Sequence, residues 1–367
     1  MSNVHIQISA IHSALCARLA LAPASVAAAI MLYATCAVAQ TTAPGSRDLP
    51  ARTIPVPDTV SPQMQKLIAA PPPPTWNVIR KTVEEWKAQV NADAAAVVQT
   101  LPALREKLGV KAEPLTIDGV KAYMVTPENI PPENRNRLLI HVHGGCYVSL
   151  PGESGTREAI LMAGFGRFKV ISVDYRMPPD HPYPAALDDA ITVWKAALKM
   201  ADPKNLAIFG SSAGGALTLS MVLRAKQDNL PLPAAIAPGT PMADLTGRGD
   251  SFSTNAMLDN VLVAYGASCD ARAALYANGH DLKDPLLSPV YGDMHGFPPA
   301  MLTTGTRDLL LSNTVRVHRK LRQAGVEAVL QVYEGAAHAQ YGRDVDAPET
   351  KEAFEEIARF FDNHLGK

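Results

Sequence analysis

The sequence has almost no net charge. Across 367 residues, 34 lysines and arginines face 35 aspartates and glutamates, for a formal net charge of −1. No basic stripe or acidic tail breaks this balance, which argues against nucleic acid as a partner. Cysteine is scarce. There are four, and none has the paired spacing of a zinc site, so no metal is expected. Aromatic residues make up 6% of the chain, too few to suggest a wide lipid-binding face. No internal repeat is visible, and only the N-terminus carries a long apolar run.

That run is Leu19 to Ala39, alanine-rich, preceded by Arg18 and ending in Ala37-Val38-Ala39 before Gln40. A basic residue, an apolar stretch and an A-x-A site predict a secretory signal peptide over residues 1–39, cut after Ala39. The alternative is a retained anchor, but Pro23 and the alanines make a weak span and no other stretch approaches spanning length. The expectation is an exported chain, periplasmic or secreted, with no stable membrane insertion after cleavage. Cleavage removes Cys16 and Cys36 and leaves Cys146 and Cys269. Export would let these two pair. Because Cys146 falls in a loop argued below to be catalytic, two free thiols are the expectation.

Residues 40–60 are rich in Pro, Thr and Ser and read as a disordered linker. Ser61-Pro62 has the form of an N-cap followed by proline in the first turn and opens a short helix to Ala70. After the polyproline run Pro71 to Pro74, loosely spaced Val78, Val83, Trp86 and Val90 predict a second helix extending to Gln99. From Pro114 the pattern changes. Leu115–Ile117 and Val120–Val125 read as a hairpin around Asp118-Gly119. Short apolar runs of buried-strand type follow at 138–142, 170–173, 206–209, 234–237, 300–303 and 328–332. Helical segments separate several of them, and an amphipathic helix from Glu349 to His364 closes the chain. Such alternation predicts an α/β fold with a mostly parallel central sheet and helices on both faces. Between Pro238 and Ser288 some fifty residues lack a clear strand, and an insertion of that length commonly forms a lid.

Four positions carry chemistry. Gly210-Ser211-Ser212-Ala213-Gly214 lies between a strand and a helix, the context of a nucleophile elbow. Glycines flanking Ser212 allow the tight turn, and the N–H of Ala213 falls at a helix N-terminus, where it can donate to a developing oxyanion. His143-Gly144-Gly145-Cys146 follows the first strong strand, and its glycines let the amides of Gly144 and Gly145 turn toward a ligand. Asp308 and His338 each follow a later strand, at the carboxyl edge where open parallel sheets place their sites. The order Ser212, Asp308, His338 is that of the α/β-hydrolases. A Ser–His–Asp triad of this kind needs no cofactor.

The sequence resembles the bacterial hormone-sensitive-lipase-like esterases, the family IV carboxylesterases of the α/β-hydrolase fold. The resemblance runs from Ser61 onward and is most specific at His143-Gly144-Gly145, Asp174 to Asp189, Gly210 to Gly215, Asp284-Pro285-Leu286 and Ser288-Pro289. It implies a helical cap built from residues 61–108 and 241–282 over a core of 109–240 and 283–367. The implied activity is hydrolysis of short- to medium-chain esters or lactones through an acyl-enzyme. Family members often dimerise through a late strand and helix, so the resemblance carries a homodimer as an expectation. Three departures mark the expected substrate pocket. Cys146, beside Tyr147, stands for a third glycine; Ser211 stands for Asp or Thr; and Ala339-Gln340-Tyr341 replaces the more usual Gly-Phe after the histidine. Two other readings remain open: an amidase or peptidase on the same fold, and a non-catalytic ligand-binding protein on a hydrolase scaffold.

Overall fold

In the computed structural model, residues 45–367 are described; the expected signal peptide lies outside them. The described residues before Ile54 contain neither helix nor strand, and Ile54–Lys367 form one compact unit. Its first elements are α1 (Pro62–Ala69), α2 (Val83–Val98) and α3 (Leu101–Leu108). Ser61 caps α1 by accepting from the Met64 N–H at 3.1 Å. Its own N–H and hydroxyl donate to the Glu349 carboxylate at 2.8 and 2.7 Å. A capping box between Thr82 and Glu85 starts α2. The end of the expected linker is held too, since the Thr59 hydroxyl donates to Glu334 at 2.8 Å and Arg307 donates to the Pro55 carbonyl at 2.5 Å.

Eight strands follow: β1 (Val110–Ile117), β2 (Val120–Pro127), β3 (Leu138–Val142), β4 (Lys169–Val173), β5 (Leu206–Ser211), β6 (Ala235–Gly239), β7 (Ala300–Gly305) and β8 (Ala328–Tyr333). Their spatial order is β1-β2-β4-β3-β5-β6-β7-β8. The first two pairings are antiparallel, and every pairing from β4 to β8 is parallel. β1 is longer than its apolar residues suggest. As an edge strand it tolerates Lys111, Glu113 and Pro114, which leave no apolar run to read.

The helices among and after the strands are α4 (Arg157–Gly166), α5 (Ala185–Met200), α6 (Ala213–Gln227), α7 (Ser251–Thr254), α8 (Ser268–Ala277), α9 (Leu311–Gln323) and α10 (Pro348–His364). Alternation along the strands divides the core in two. Leu138, Ile140, Val142 and Ile208 pack with α5, α6 and α9, while Leu139, Ala207 and Phe209 pack on the opposite face with α3, α4 and α10. Both faces of the sheet are therefore dry along its central strands, which is why β3, β5 and β6 read as apolar runs.

The insertion after β6 holds only α7 and α8; Leu258, Val261 and Leu262, whose spacing suggests a helix, lie in turns. α8 meets α2 through a cluster of Trp86, Val90 and Val148, with Ala271 and Leu275 against it. The guanidinium of Arg272 lies 5.9 Å from the Trp86 ring centre. The N-terminal segment and the insertion thus touch each other above the sheet.

Candidate active site

Ser212 lies in the turn between β5 and α6, with φ 63° and ψ −122°. That conformation is unfavourable for a residue with a Cβ and is held from both sides. The Ser212 N–H donates to Gly239 at 2.9 Å, and the Ser212 carbonyl accepts from Met242 at 3.0 Å. The glycines around it are required by contact. A Cβ at Gly210 or Gly214 would fall 2.0 Å from the Val142 carbonyl oxygen. The corner packs that tightly against the end of β3, and it brings the loop after β3 beside the serine.

Asp308 follows β7 and His338 follows β8. Asp308 is fully buried, and His338 and Ser212 are 4% and 6% exposed. His338 Nδ1 lies 3.1 Å from Asp308 Oδ1. An ionised carboxylate only accepts, so Nδ1 carries a proton and donates a hydrogen bond to Asp308. Burial alone would raise the Asp308 pKa. The His338 imidazole, by charge and hydrogen bond, together with donors from Thr240 and Leu310, outweighs burial and holds the carboxyl below its ordinary range. The Leu310 N–H donates to Oδ1 at 2.8 Å, and the Thr304 and Thr240 hydroxyls donate to Oδ2, Thr304 at 2.9 Å. Thr240 Oγ1 also lies 3.2 Å from His338 Nδ1.

Among the described residues no hydrogen bond joins the Ser212 hydroxyl to His338; both line one cavity of about 950 Å³. Such bonds are often long in unliganded sites. The N–H groups of Gly144, Gly145 and Ala213 likewise carry no hydrogen bond among the described residues. Ala213 is fully buried and, unlike Gly144 and Gly145, does not line that cavity. The loop bearing Gly144 is braced by His143, whose ring stacks on Tyr175 at 4.1 Å and whose Nδ1 lies 2.8 Å from the Gly144 carbonyl. Burial lowers the His143 pKa to about 3, so the ring is neutral and Nδ1 donates.

Two expectations fail here. Cys146 is not a free thiol; it forms a disulfide with Cys269 on α8, with Cα atoms 5.6 Å apart. The partners are separated by 123 residues, and only the folding of the insertion over the glycine loop brings them together. Tyr147 is not a wall of the cavity. It and Cys146 both have positive φ, which folds the loop back and buries the Tyr147 ring against Tyr276 of α8, stacked at 4.2 Å. Cys146, Ser211 and Tyr341 do line the cavity. Ser211 and Tyr341 also belong to a hydrogen-bonded chain behind the serine. The Ser211 hydroxyl donates to Glu158 at 2.7 Å and therefore accepts from the Tyr341 hydroxyl at 2.8 Å.

Several site residues carried no readable signal. Thr240 and Thr304 are ordinary threonines until the sheet aligns the ends of β6 and β7 on Asp308. Asp259, in the insertion, is buried and accepts from the N–H groups of Leu309, Val261 and Leu262 at 2.7, 2.8 and 3.0 Å. Burial and the neighbouring charge of Asp308 raise its pKa. It ties the insertion to the loop that holds Asp308.

A family model described as alpha/beta hydrolase fold matches residues 139–342. An esterase of Acinetobacter venetianus is 30% identical over 254 residues, 68% of this chain and 82% of that protein. The solved structure of an esterase superposes with a TM-score of 0.84 at 45% identity, covering 87% of this chain and 99% of the other. A second solved structure, an esterase from the bacterial hormone-sensitive lipase family, gives a TM-score of 0.72 at 27% identity over 83% of this chain and 99% of its own.

Proposed function

Since the chain belongs to the hormone-sensitive-lipase-like esterases of the α/β-hydrolase fold, we propose that it is a serine carboxylesterase that hydrolyses short- to medium-chain esters or lactones through an acyl-enzyme. The observation that carries this reading is the 3.1 Å pairing of His338 Nδ1 with buried Asp308, in the cavity that Ser212 lines. In the proposed reaction Ser212 Oγ attacks the carbonyl carbon while His338 Nε2 takes its proton. Asp308 keeps the imidazole in the tautomer that leaves Nε2 free and stabilises the imidazolium that forms. The N–H groups of Gly144, Gly145 and Ala213 receive the oxyanion; one such donor is typically worth ~2.7–4 kcal/mol. His338 then protonates the leaving alkoxide, and water, activated by the same imidazole, cleaves the acyl-enzyme.

A cavity of about 950 Å³ is large for an acetyl group alone and suits a medium acyl chain. The Cys146–Cys269 bond suits an oxidising compartment, which supports export. Replacing Ser212 with Ala is expected to reduce hydrolysis of p-nitrophenyl butyrate by about 10⁴-fold or more without changing the melting temperature by more than a few degrees. Turnover at the wild-type rate by this variant would refute the assignment.

A further inference from the structure

Two arginines face the same cavity as Ser212 and have no part in the chemistry just described. Arg157 opens α4, and Arg343 follows the short 3-10 turn Gln340–Gly342 beyond His338. The Arg157 guanidinium donates from Nη2 to the Arg343 carbonyl at 2.6 Å, so the two residues are neighbours. Among the described residues, the Arg343 guanidinium makes no hydrogen bond or ion pair, and Arg157 makes no ion pair. Arg343 nevertheless keeps open surface while lining the cavity.

The nearby carboxylates act on these arginines only at a distance, and their oxygens accept from other donors. Glu158 accepts from the N–H and hydroxyl of Ser211 at 3.2 and 2.7 Å and lies 3.3 Å from His141. Asp259 accepts three backbone N–H groups. Asp344 accepts from the N–H of Asp346 at 2.9 Å. Partial burial depresses the pKa of Arg157, and the positive charge of Arg343 depresses it further against the opposing charge of Asp344. Two like charges held together with idle donors are the arrangement that a bound anion relieves, and a planar guanidinium matches a carboxylate with two parallel hydrogen bonds.

We propose that Arg157 and Arg343 form an anion subsite in the substrate cavity, so that the preferred esters carry a carboxylate remote from the scissile bond. This rests on the esterase reading above and narrows it to half-esters and other acid-bearing esters. Alkyl esters without charge fill the same cavity but leave the arginines solvated.

The test uses matched substrates that differ by one charge. One pair is p-nitrophenyl hydrogen adipate against p-nitrophenyl methyl adipate, which puts the charge in the acyl part. The other is 4-carboxyphenyl butyrate against its methyl ester, which puts it in the alcohol part. In at least one pair the anionic member should have a kcat/KM tenfold or more above the neutral one, mostly through KM. That ratio should shrink as ionic strength rises. Arg343→Gln or Arg157→Gln should lower the ratio by tenfold or more, and Arg343→Lys should restore part of it. No anionic preference in either pair, or a ratio unchanged in both Gln variants, overturns the subsite. Calorimetric binding of adipate to the wild type and to R343Q reads the subsite without hydrolysis. If p-nitrophenyl butyrate is not turned over yet adipate binds the wild type and not R343Q, the esterase reading fails and the subsite stands.

Discussion

At the rim of the sheet, Asp308 receives hydrogen bonds from Thr240, Thr304, the Leu310 N–H and His338, all from strand ends or the loops directly after them. In the segments expected to form the cap, α2 is held by a small apolar cluster, by Arg272 over Trp86, and by the exposed Lys87–Asp180 pair at 2.9 Å. The rim is buried and over-determined; the cap is half-solvated and held at a few points. This contrast teaches where each kind of change should be felt. Rim substitutions should appear in the chemical step, and substitutions on α2 in stability and in substrate entry.

The contrast can be broken first at its strongest point. Asp308→Asn keeps the shape but removes the charge that fixes the imidazole, and kcat is expected to fall about 10⁴-fold with the fold intact. A loss below tenfold in steady-state kinetics would show that the rim does not depend on this carboxylate. Next comes the cap's covalent tie. Cys269→Ser should cost about 2–4 kcal/mol in reversible urea unfolding and change KM more than kcat. An unaltered midpoint would mean that Trp86 and the tyrosine stack already hold α8.

A third measurement probes the glycine loop through pH. The His143 pKa is lowered to about 3 by burial, against about 6.5 when unfolded. The unfolded chain therefore binds the extra proton first, and the stability that comes from a neutral His143 is fully present above about pH 6.5. It falls as pH drops toward 3, by up to ~1.4 kcal/mol per pH unit from this residue. Chemical denaturation at several pH values should show a steeper acid loss in wild type than in His143→Asn. The smallest effect is expected for Lys87→Ala. An exposed ion pair contributes less than about 1 kcal/mol, so the melting temperature should barely move.

The sequence discloses the rim far better than the cap, for a physical reason. Buried parallel strands need unbroken apolar runs, and a strand-to-helix corner as tight as the one at Ser212 needs glycines at 210 and 214; both leave marks in the letters. Asp308 and His338 are legible because each directly follows such a run. Thr240 and Thr304 are not, because their role exists only once β6 and β7 lie side by side. Arg157 and Arg343 are silent for the same reason: nothing in their spacing announces that α4 and the turn after His338 meet in one cavity. In the cap, helix-like spacing at Leu258 to Leu262 gives way to turns pinned by the Asp259 carboxylate. Cys146 and Tyr147 are misread because their direction depends on two consecutive residues of positive φ, which no side-chain pattern signals.

The bond from Cys146 to Cys269, together with the Tyr147–Tyr276 stack, yokes the amide loop to α8. Any drift of α8 that reshapes the entrance must tug on the amides proposed to receive the oxyanion. In the proposed mechanism selectivity and turnover are therefore not separate dials: laboratory evolution that remodels α8 for bulkier esters should repeatedly encounter slower turnover, until the yoke is cut or the loop is re-anchored by another means.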